Sequence, residues 1–324
     1  MNLTQLIQDK VNFFTNTDSH IGLTSVITHI ESAERHLDNG KQGEDYLFTD
    51  TIYRTNQAFE GALKEAYSLL TGQDAAKKTP YQIEQYLENE QVLEDRVLAL
   101  FSNYRKSWRN QSTHNYKLYF SEQEAFLAIV SICAFFNILL DQMIEKNAYQ
   151  IENTELENDQ KSLPDITSQI NFAEQIVDAL KIFPHKLPLS KNIDDLKSSS
   201  NKFLEREIIG RLHAYLNSVD KNIKVTPEFR IQSENYHYRP DLLLQRNEEE
   251  LLVEVKRSIS HISRVRESGK EQMRNYLRVS RIKYGIVFIF PLFESQKISV
   301  KIETFKMEDK EYTIFEVFPQ NQKK

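Results

Sequence analysis

The periodicity of the apolar residues changes once along this 324-residue chain, and no other feature constrains its fold as strongly. Up to about residue 148, apolar residues recur at spacings of three, four and seven, the repeat of helices buried along one stripe. In IYRTNQAFEGALKEAYSLLTG, Ile52, Phe59, Leu63, Tyr67 and Leu70 keep that spacing, and Gly72 stands where a left-handed C-cap is needed. Further helices are expected over about 83–87 and 92–108. The stretch SEQE at 121–124 has the capping-box form, with Ser121 as N-cap and Glu124 three residues on, opening a long helix to about 146. Strand-like alternation is absent from this half.

Beyond about residue 200 the pattern becomes mixed. A helix is expected in NKFLEREIIGRLHAYLNSV. The segments NIKVTPEFRI, YRPDLLLQ and LLVEVKR then read as strands, a basic helix as spanning roughly 260–281, and YGIVFIFP as a buried strand. A last strand pair is expected around KISVKIETF and YTIFEVF. The expected fold class is therefore α plus α/β: an all-α bundle over 1–150 and an α/β domain over 198–324, with a central mixed sheet flanked by helices. The polar, broken text of 151–197 reads as a linker with one short helix.

Composition narrows the classes. Gly and Pro number only 8 each, which excludes collagenous and Gly-rich linker segments. The single cysteine, Cys133, excludes an internal disulfide and a CxxC zinc pair. With the polar, amphipathic start MNLTQLIQDK, it leads to the expectation of a cytoplasmic protein. The apolar run 125–140, broken by Ser131 and Asn137, is shorter than the roughly 18–20 residues of a membrane span and is expected to be a core helix, with no membrane partner. The sequence contains neither GxGxxG nor GxxxxGK[ST], so no phosphate-cradling loop of a nucleotide-hydrolysing motor is expected. Net charge is −6, but residues 1–160 hold 13 Lys+Arg against 24 Asp+Glu, whereas 161–324 hold 28 against 23. A basic half beside an acidic one points to a polyanion partner for the C-terminal part.

The segment YRPDLLLQRNEEELLVEVKR carries the sharpest chemistry. It reads as a hairpin with Asp241 at the head of the first strand and Glu254 and Lys256 near the end of the second. Alternation puts Glu254 and Lys256 on one face of an otherwise apolar strand. Asp241, Glu254 and the Val255 backbone carbonyl form an oxygen-only set of the kind Mg²⁺ prefers. Lys256 could orient or deprotonate an attacking water and stabilise charge on a phosphate. On the basic helix, Gln272 falls on the same side as Ile262, Val265, Met273, Tyr276 and Val279, so its buried amide needs a partner. Lys270, Arg274, Arg278 and Arg281 fall on the opposite, solvent-facing side, where phosphate binding is the minority reading.

The pattern Pro240-Asp241…Glu254-x-Lys256, in the order helix, hairpin, helix and strand over about 198–292, resembles the PD-(D/E)XK nuclease superfamily. Gln272 and Tyr276 match the QxxxY motif of its RecB-like branch. The resemblance implies a restriction-endonuclease-like core, hydrolysis of nucleic acid, mostly DNA, with Mg²⁺ or Mn²⁺, and a further acidic ligand from the first helix. Glu207 is the choice for that ligand, with Glu205 as the alternative.

In the N-terminal half, RNQSTH at 109–114 places an arginine and a histidine five positions apart at a helix end. Imidazole can move the proton of a 2′-hydroxyl near neutral pH, and guanidinium can stabilise the phosphate in transit. The motif resembles that of the HEPN family over about 20–148. That likeness implies Arg109 and His114 as catalytic residues of a metal-independent RNase, Asn110 as their assistant, and a homodimer with both motifs in one groove. Trp108 is expected to pack in the core. Together the two resemblances imply an antiviral or abortive-infection effector held inactive until triggered, with a regulatory or sensor partner protein. Two alternatives stay open. The HEPN part could be the working RNase, with the C-terminal part only recognising nucleic acid, or it could be a non-catalytic dimerisation module.

Overall fold

The computed structural model describes residues 3–110, 119–158, 171–198, 203–232, 237–258 and 261–320. It divides the chain into two compact units, 1–146 and 147–324. The first is helical among its described residues: α1 (Leu3–Val11), α2 (Ser19–Gly40), α3 (Leu47–Thr71), α4 (Pro80–Asn89), α5 (Asp95–Tyr104) and the first part of α6 (Glu122–Asn158). The local signals act as expected. Gly72 ends α3 in the left-handed region at φ +70°. The Ser121 and Glu124 side chains cap each other's backbone at the start of α6. The interior gathers rings from three helices, with Phe59 stacked on Tyr104 at 4.6 Å and tilted against Phe135 at 5.2 Å.

Among the described residues one helix, α6, is long and apolar enough to cross a membrane, and 56% of its most apolar window is buried inside the protein. Ile132, Cys133, Phe135, Phe136, Leu139 and Leu140 form that buried side. Burial, with a contribution from the Glu34 charge, pushes the Cys133 thiol up to about 12, which leaves it an inert core group.

The linker expected over 151–197 is corrected. The one short helix expected there is present as α7 (Phe172–Ile182), but helix α6 also runs on to Asn158 and α8 spans Ile193–Ser198. Phe172, Ile176, Leu180, Phe183 and Leu196 are part of the second unit's core. The apolar periodicity of FAEQIVDALKI was present in the sequence, but the polar text on either side masked its weight.

The second unit continues with α9 (Glu205–Val219), the strands β1 (Lys224–Pro227), β2 (Ile231–Gln232), β3 (His237–Tyr238), β4 (Leu242–Arg246) and β5 (Glu249–Arg257), α10 (Ile262–Ser280), and β6 (Tyr284–Phe290), β7 (Ile298–Met307) and β8 (Lys310–Pro319). Six strands form a mixed sheet in the order β1-β4-β5-β6-β8-β7, and β2 and β3 form a separate antiparallel pair. β5, β6 and β8 run parallel, and the other neighbours antiparallel. Alternation divides each central strand between two cores. Leu251, Val253, Val255, Ile286 and Phe288 join α7 and α9 on one face. Leu252, Val287, Ile289 and Ile314 join Met273, Tyr276 and Leu277 of α10 on the other.

Two glycines let α10 lie close on the sheet. A Cβ on Gly269 would sit 2.8 Å from Val287 Cγ1, and one on Gly285 would sit 2.5 Å from Met273 Sδ. Gly269→Val is therefore expected to destabilise the unit by about 1–3 kcal/mol through overpacking. Thermal denaturation should register it as a fall of about 2–4 °C per kcal/mol.

Candidate active site on the C-terminal sheet

The parallel strands direct attention to their carboxyl ends, where open α/β sheets bind ligands. In β4 and β5, Leu242 pairs with Val253, so the continued register sets Asp241 level with Glu254. Asp241 Oδ2 accepts the Val255 N–H at 2.7 Å, and its carbonyl accepts the Glu228 N–H at 2.9 Å. Lys256 Nζ lies 2.5 Å from Glu254 Oε1. Glu254 is only 3% exposed; the Asp241 N–H and the Tyr276 hydroxyl act on its carboxylate, but Oε2 makes no well-formed hydrogen bond with a described residue.

The electrostatics follow from this crowding. Burial and the Glu254 charge hold the Asp241 carboxyl well above the usual carboxylate range, against the opposing Val255 hydrogen bond. Burial likewise raises Glu254, with Lys256 offsetting part of the effect. For Lys256, burial acts downward, but the bonded Glu254 carboxylate outweighs it and raises the ammonium above its ordinary value. The site thus holds more buried negative charge than its own cation compensates.

Helix α10 brings in the next two expected residues. Gln272 Nε2 donates to the Tyr276 hydroxyl, which donates to the Arg239 carbonyl at 3.3 Å. Burial, followed by the Glu254 charge, pushes the Tyr276 phenol up. Gln272 thus has the partner its buried position requires, and Tyr276 ties the helix to the segment just before Asp241. Tyr238 meets Tyr276 edge-on at 5.7 Å, part of the same support. The solvent-facing reading of Lys270 is corrected: its side chain is only 11% exposed, and it and Arg274 both pair with Glu303 of β7.

Glu207, the acidic ligand expected from the first helix, has partners of its own. Its carboxylate accepts the Leu204 N–H at 3.3 Å and Arg211 Nε at 3.4 Å, and Arg211 also holds Glu152 at 3.0 Å. Glu205, two positions and about 200° away around the helix, is the one whose charge acts on both Glu254 and Lys256. Sequence reasoning also missed two basic residues. Arg206 pairs with Glu228 at 2.5 Å and its charge acts on Asp241, while Arg257 follows Lys256 directly. The position of Arg257 next to Lys256 was the available signal; nothing local pointed to Arg206.

Among the described residues no group of three or more His, Cys, Asp or Glu gathers as a metal site. The donor set of Asp241, Glu254 and the Val255 carbonyl still suits a hard divalent cation of the Mg²⁺ kind, which takes one or two carboxylates and fills its shell with water and substrate phosphate. Glu254 Oε2, which makes no well-formed hydrogen bond with a described residue, and the two raised carboxyls are the observations that fit.

In the N-terminal unit, Arg109 closes a π-helical turn, Arg105–Arg109. Its guanidinium lies 3.8 Å from Glu60 and 3.7 Å from Glu84, and it donates to Asn110 Oδ1 at 3.4 Å. Glu84 is buried, and that burial raises its carboxyl, with Arg109 and Arg105 offsetting part. His114 lies outside the described residues. Trp108 packs against Ile52, Phe120 and Ala128.

Comparison with known proteins finds no matching family model, no matching curated protein and no matching solved structure.

Proposed function

We propose that the C-terminal unit is a metal-dependent nuclease that hydrolyses phosphodiester bonds, DNA being its substrate. The observation that carries this reading is the crowded cluster of Asp241, Glu254 and Lys256, two carboxyls and an ammonium at the carboxyl end of β5 with Glu254 buried among them. Asp241 and Glu254 would hold a Mg²⁺ or Mn²⁺ ion, with the Val255 carbonyl as the third protein oxygen. Such an ion, when bound, polarises a phosphoryl oxygen and lowers the pKa of water. Lys256 stays an ammonium beside Glu254 and stabilises the negative charge that grows on the phosphate as the P–O bond breaks. Tyr276, braced by Gln272, fixes the Arg239–Asp241 segment and so holds Asp241 level with Glu254. The basic balance of this half suits a polyanion.

The test is purified protein with plasmid DNA, in Mg²⁺ or in EDTA. Nicking or linearisation in Mg²⁺ that stops in EDTA is expected, and no cleavage of any DNA or RNA in Mg²⁺ or Mn²⁺ refutes the reading.

For the N-terminal unit, the reading we favour is a homodimerisation module of HEPN type. Arg109 is already engaged by two carboxylates, while Tyr119, Phe126 and Leu127 are at least half exposed near the motif. Arg109→Ala should leave DNA cleavage and the dimer intact in sedimentation analysis. The π-helical turn at Arg105–Arg109 favours the second reading, a metal-independent RNase, since such turns concentrate at functional sites. RNA cleavage that survives EDTA and disappears in His114→Ala would decide for it. A role in antiviral defence, with a partner protein as trigger, belongs to the same proposal. Phage plating on bacteria carrying wild type or Lys256→Ala tests that role.

A further inference from the structure

Arg257 ends β5 one position beyond Lys256, and its side chain leaves the opposite face of the strand, where the core beneath α9 stops. The residue is half-buried and its Nε is shut off from solvent. It nevertheless makes no hydrogen bond and no ion pair with any described residue. Other arginines of the same unit are treated differently. Arg206, Arg211, Arg246 and Arg266 are no more than 18% exposed in their side chains, and each has a carboxylate within 3.5 Å. The charges that act on Arg257 come from Glu205 and Glu207, and Glu207 is already occupied by Arg211 and the Leu204 N–H.

A partly buried guanidinium that no described residue bonds, with Glu205 and Glu207 acting on it only through their charge, has lost solvation without a hydrogen-bonded partner among the described residues, so its place in the fold suits an anion from outside. Its planar fork matches two oxygens of one phosphate, which an ammonium cannot do. The location is the carboxyl end of parallel strands, one residue beyond Lys256 and on the other face of β5. We propose that Arg257 is a phosphate-binding residue of this site, donating to the non-bridging oxygens of a substrate phosphodiester that lies off the end of β5. The assignment of that phosphate to a nucleic acid rests on the nuclease reading; the anion site itself does not.

Two measurements separate these claims. In the first, the melting temperature of wild type, Arg257→Gln and Arg257→Lys is followed against millimolar inorganic phosphate without metal. Phosphate should stabilise the wild type, stabilise Arg257→Lys less, and leave Arg257→Gln unmoved. Removing an unpaired charge should not lower the melting temperature in phosphate-free buffer, so the Gln variant folds. An equal response in wild type and Arg257→Gln, or no response in wild type, overturns the proposal. In the second, a fluorescent DNA duplex is titrated in Ca²⁺ at several salt concentrations. Arg257→Gln should weaken binding about tenfold, the loss of one charged hydrogen-bonded contact. It should also flatten the slope of log K against log salt by about 0.9, one phosphate contact. If the phosphate effect is met but wild type neither binds nor cleaves nucleic acid, the anion site stands and the nuclease reading falls. If wild type cleaves DNA while Arg257→Gln matches it in both measurements, the nuclease reading stands and this proposal falls.

Discussion

Lys256→Ala is expected to lower Mg²⁺-dependent DNA cleavage by about 10²–10³-fold, the usual loss when a preorganised donor to a developing anion is removed. The prediction follows from the position of the ammonium. Glu254 Oε1 holds it at 2.5 Å and keeps its pKa raised, so it carries full charge at neutral pH where a phosphate would gain negative charge. The same change removes the ammonium bonded to a 3%-exposed Glu254, leaving its carboxylate to the Asp241 N–H and the Tyr276 hydroxyl. Some loss of stability therefore accompanies the loss of rate, and circular dichroism at the assay temperature separates the two. A folded Lys256→Ala protein that cleaves at the wild-type rate would remove this residue from the chemistry.

Asp241→Asn is expected to abolish cleavage and yet raise the melting temperature at neutral pH. Asn keeps an acceptor for the Val255 N–H and removes a buried charge that burial and Glu254 both disfavour. The sign of the pH dependence follows from linkage. A carboxyl whose folded pKa is raised binds more protons folded than unfolded. Its contribution is complete below the ordinary carboxylate value of about 4 and is lost as pH rises through the folded value. Wild-type stability should therefore decline as pH climbs from about 4 through the raised values of Asp241 and Glu254, and Asp241→Asn should flatten that decline. Mg²⁺ should stabilise the wild type most at the upper end of this window, where both carboxylates are ionised, and should scarcely affect Asp241→Asn. A variant less stable than wild type at neutral pH, with a steeper decline, would mean that the Asp241 charge is compensated.

Much of the fold could be read along the chain because it rests on local rules. The caps at Gly72 and Ser121 need only a few neighbouring residues, and the strands LLVEVKR and YGIVFIF announce themselves by composition. The helix within 171–198 was expected but assigned to a linker, because a short amphipathic helix gains its stability from what it packs against. Phe172 and Ile176 become core only because the sheet offers Leu244 and Phe288 on the same face.

The candidate site divides in the same way. Alternation along β5 was enough to place Glu254 and Lys256 on one face, and helical periodicity was enough to put Gln272 with Tyr276, because both depend on backbone repeats that the sequence carries. The choice between Glu205 and Glu207 could not be made that way. Both stand in the first turn of α9; Arg211, four residues on, pairs with Glu207 and is itself held by the distant Glu152, while the charge of Glu205 acts on Lys256. For the same reason Arg257 reads as an ordinary strand-end arginine until the fold shows that no described residue bonds it. By itself, then, the sequence determined which faces the side chains take along each element. The tertiary structure decided which charges meet and which are left without a partner, because charge compensation is settled by distances between segments far apart in the chain.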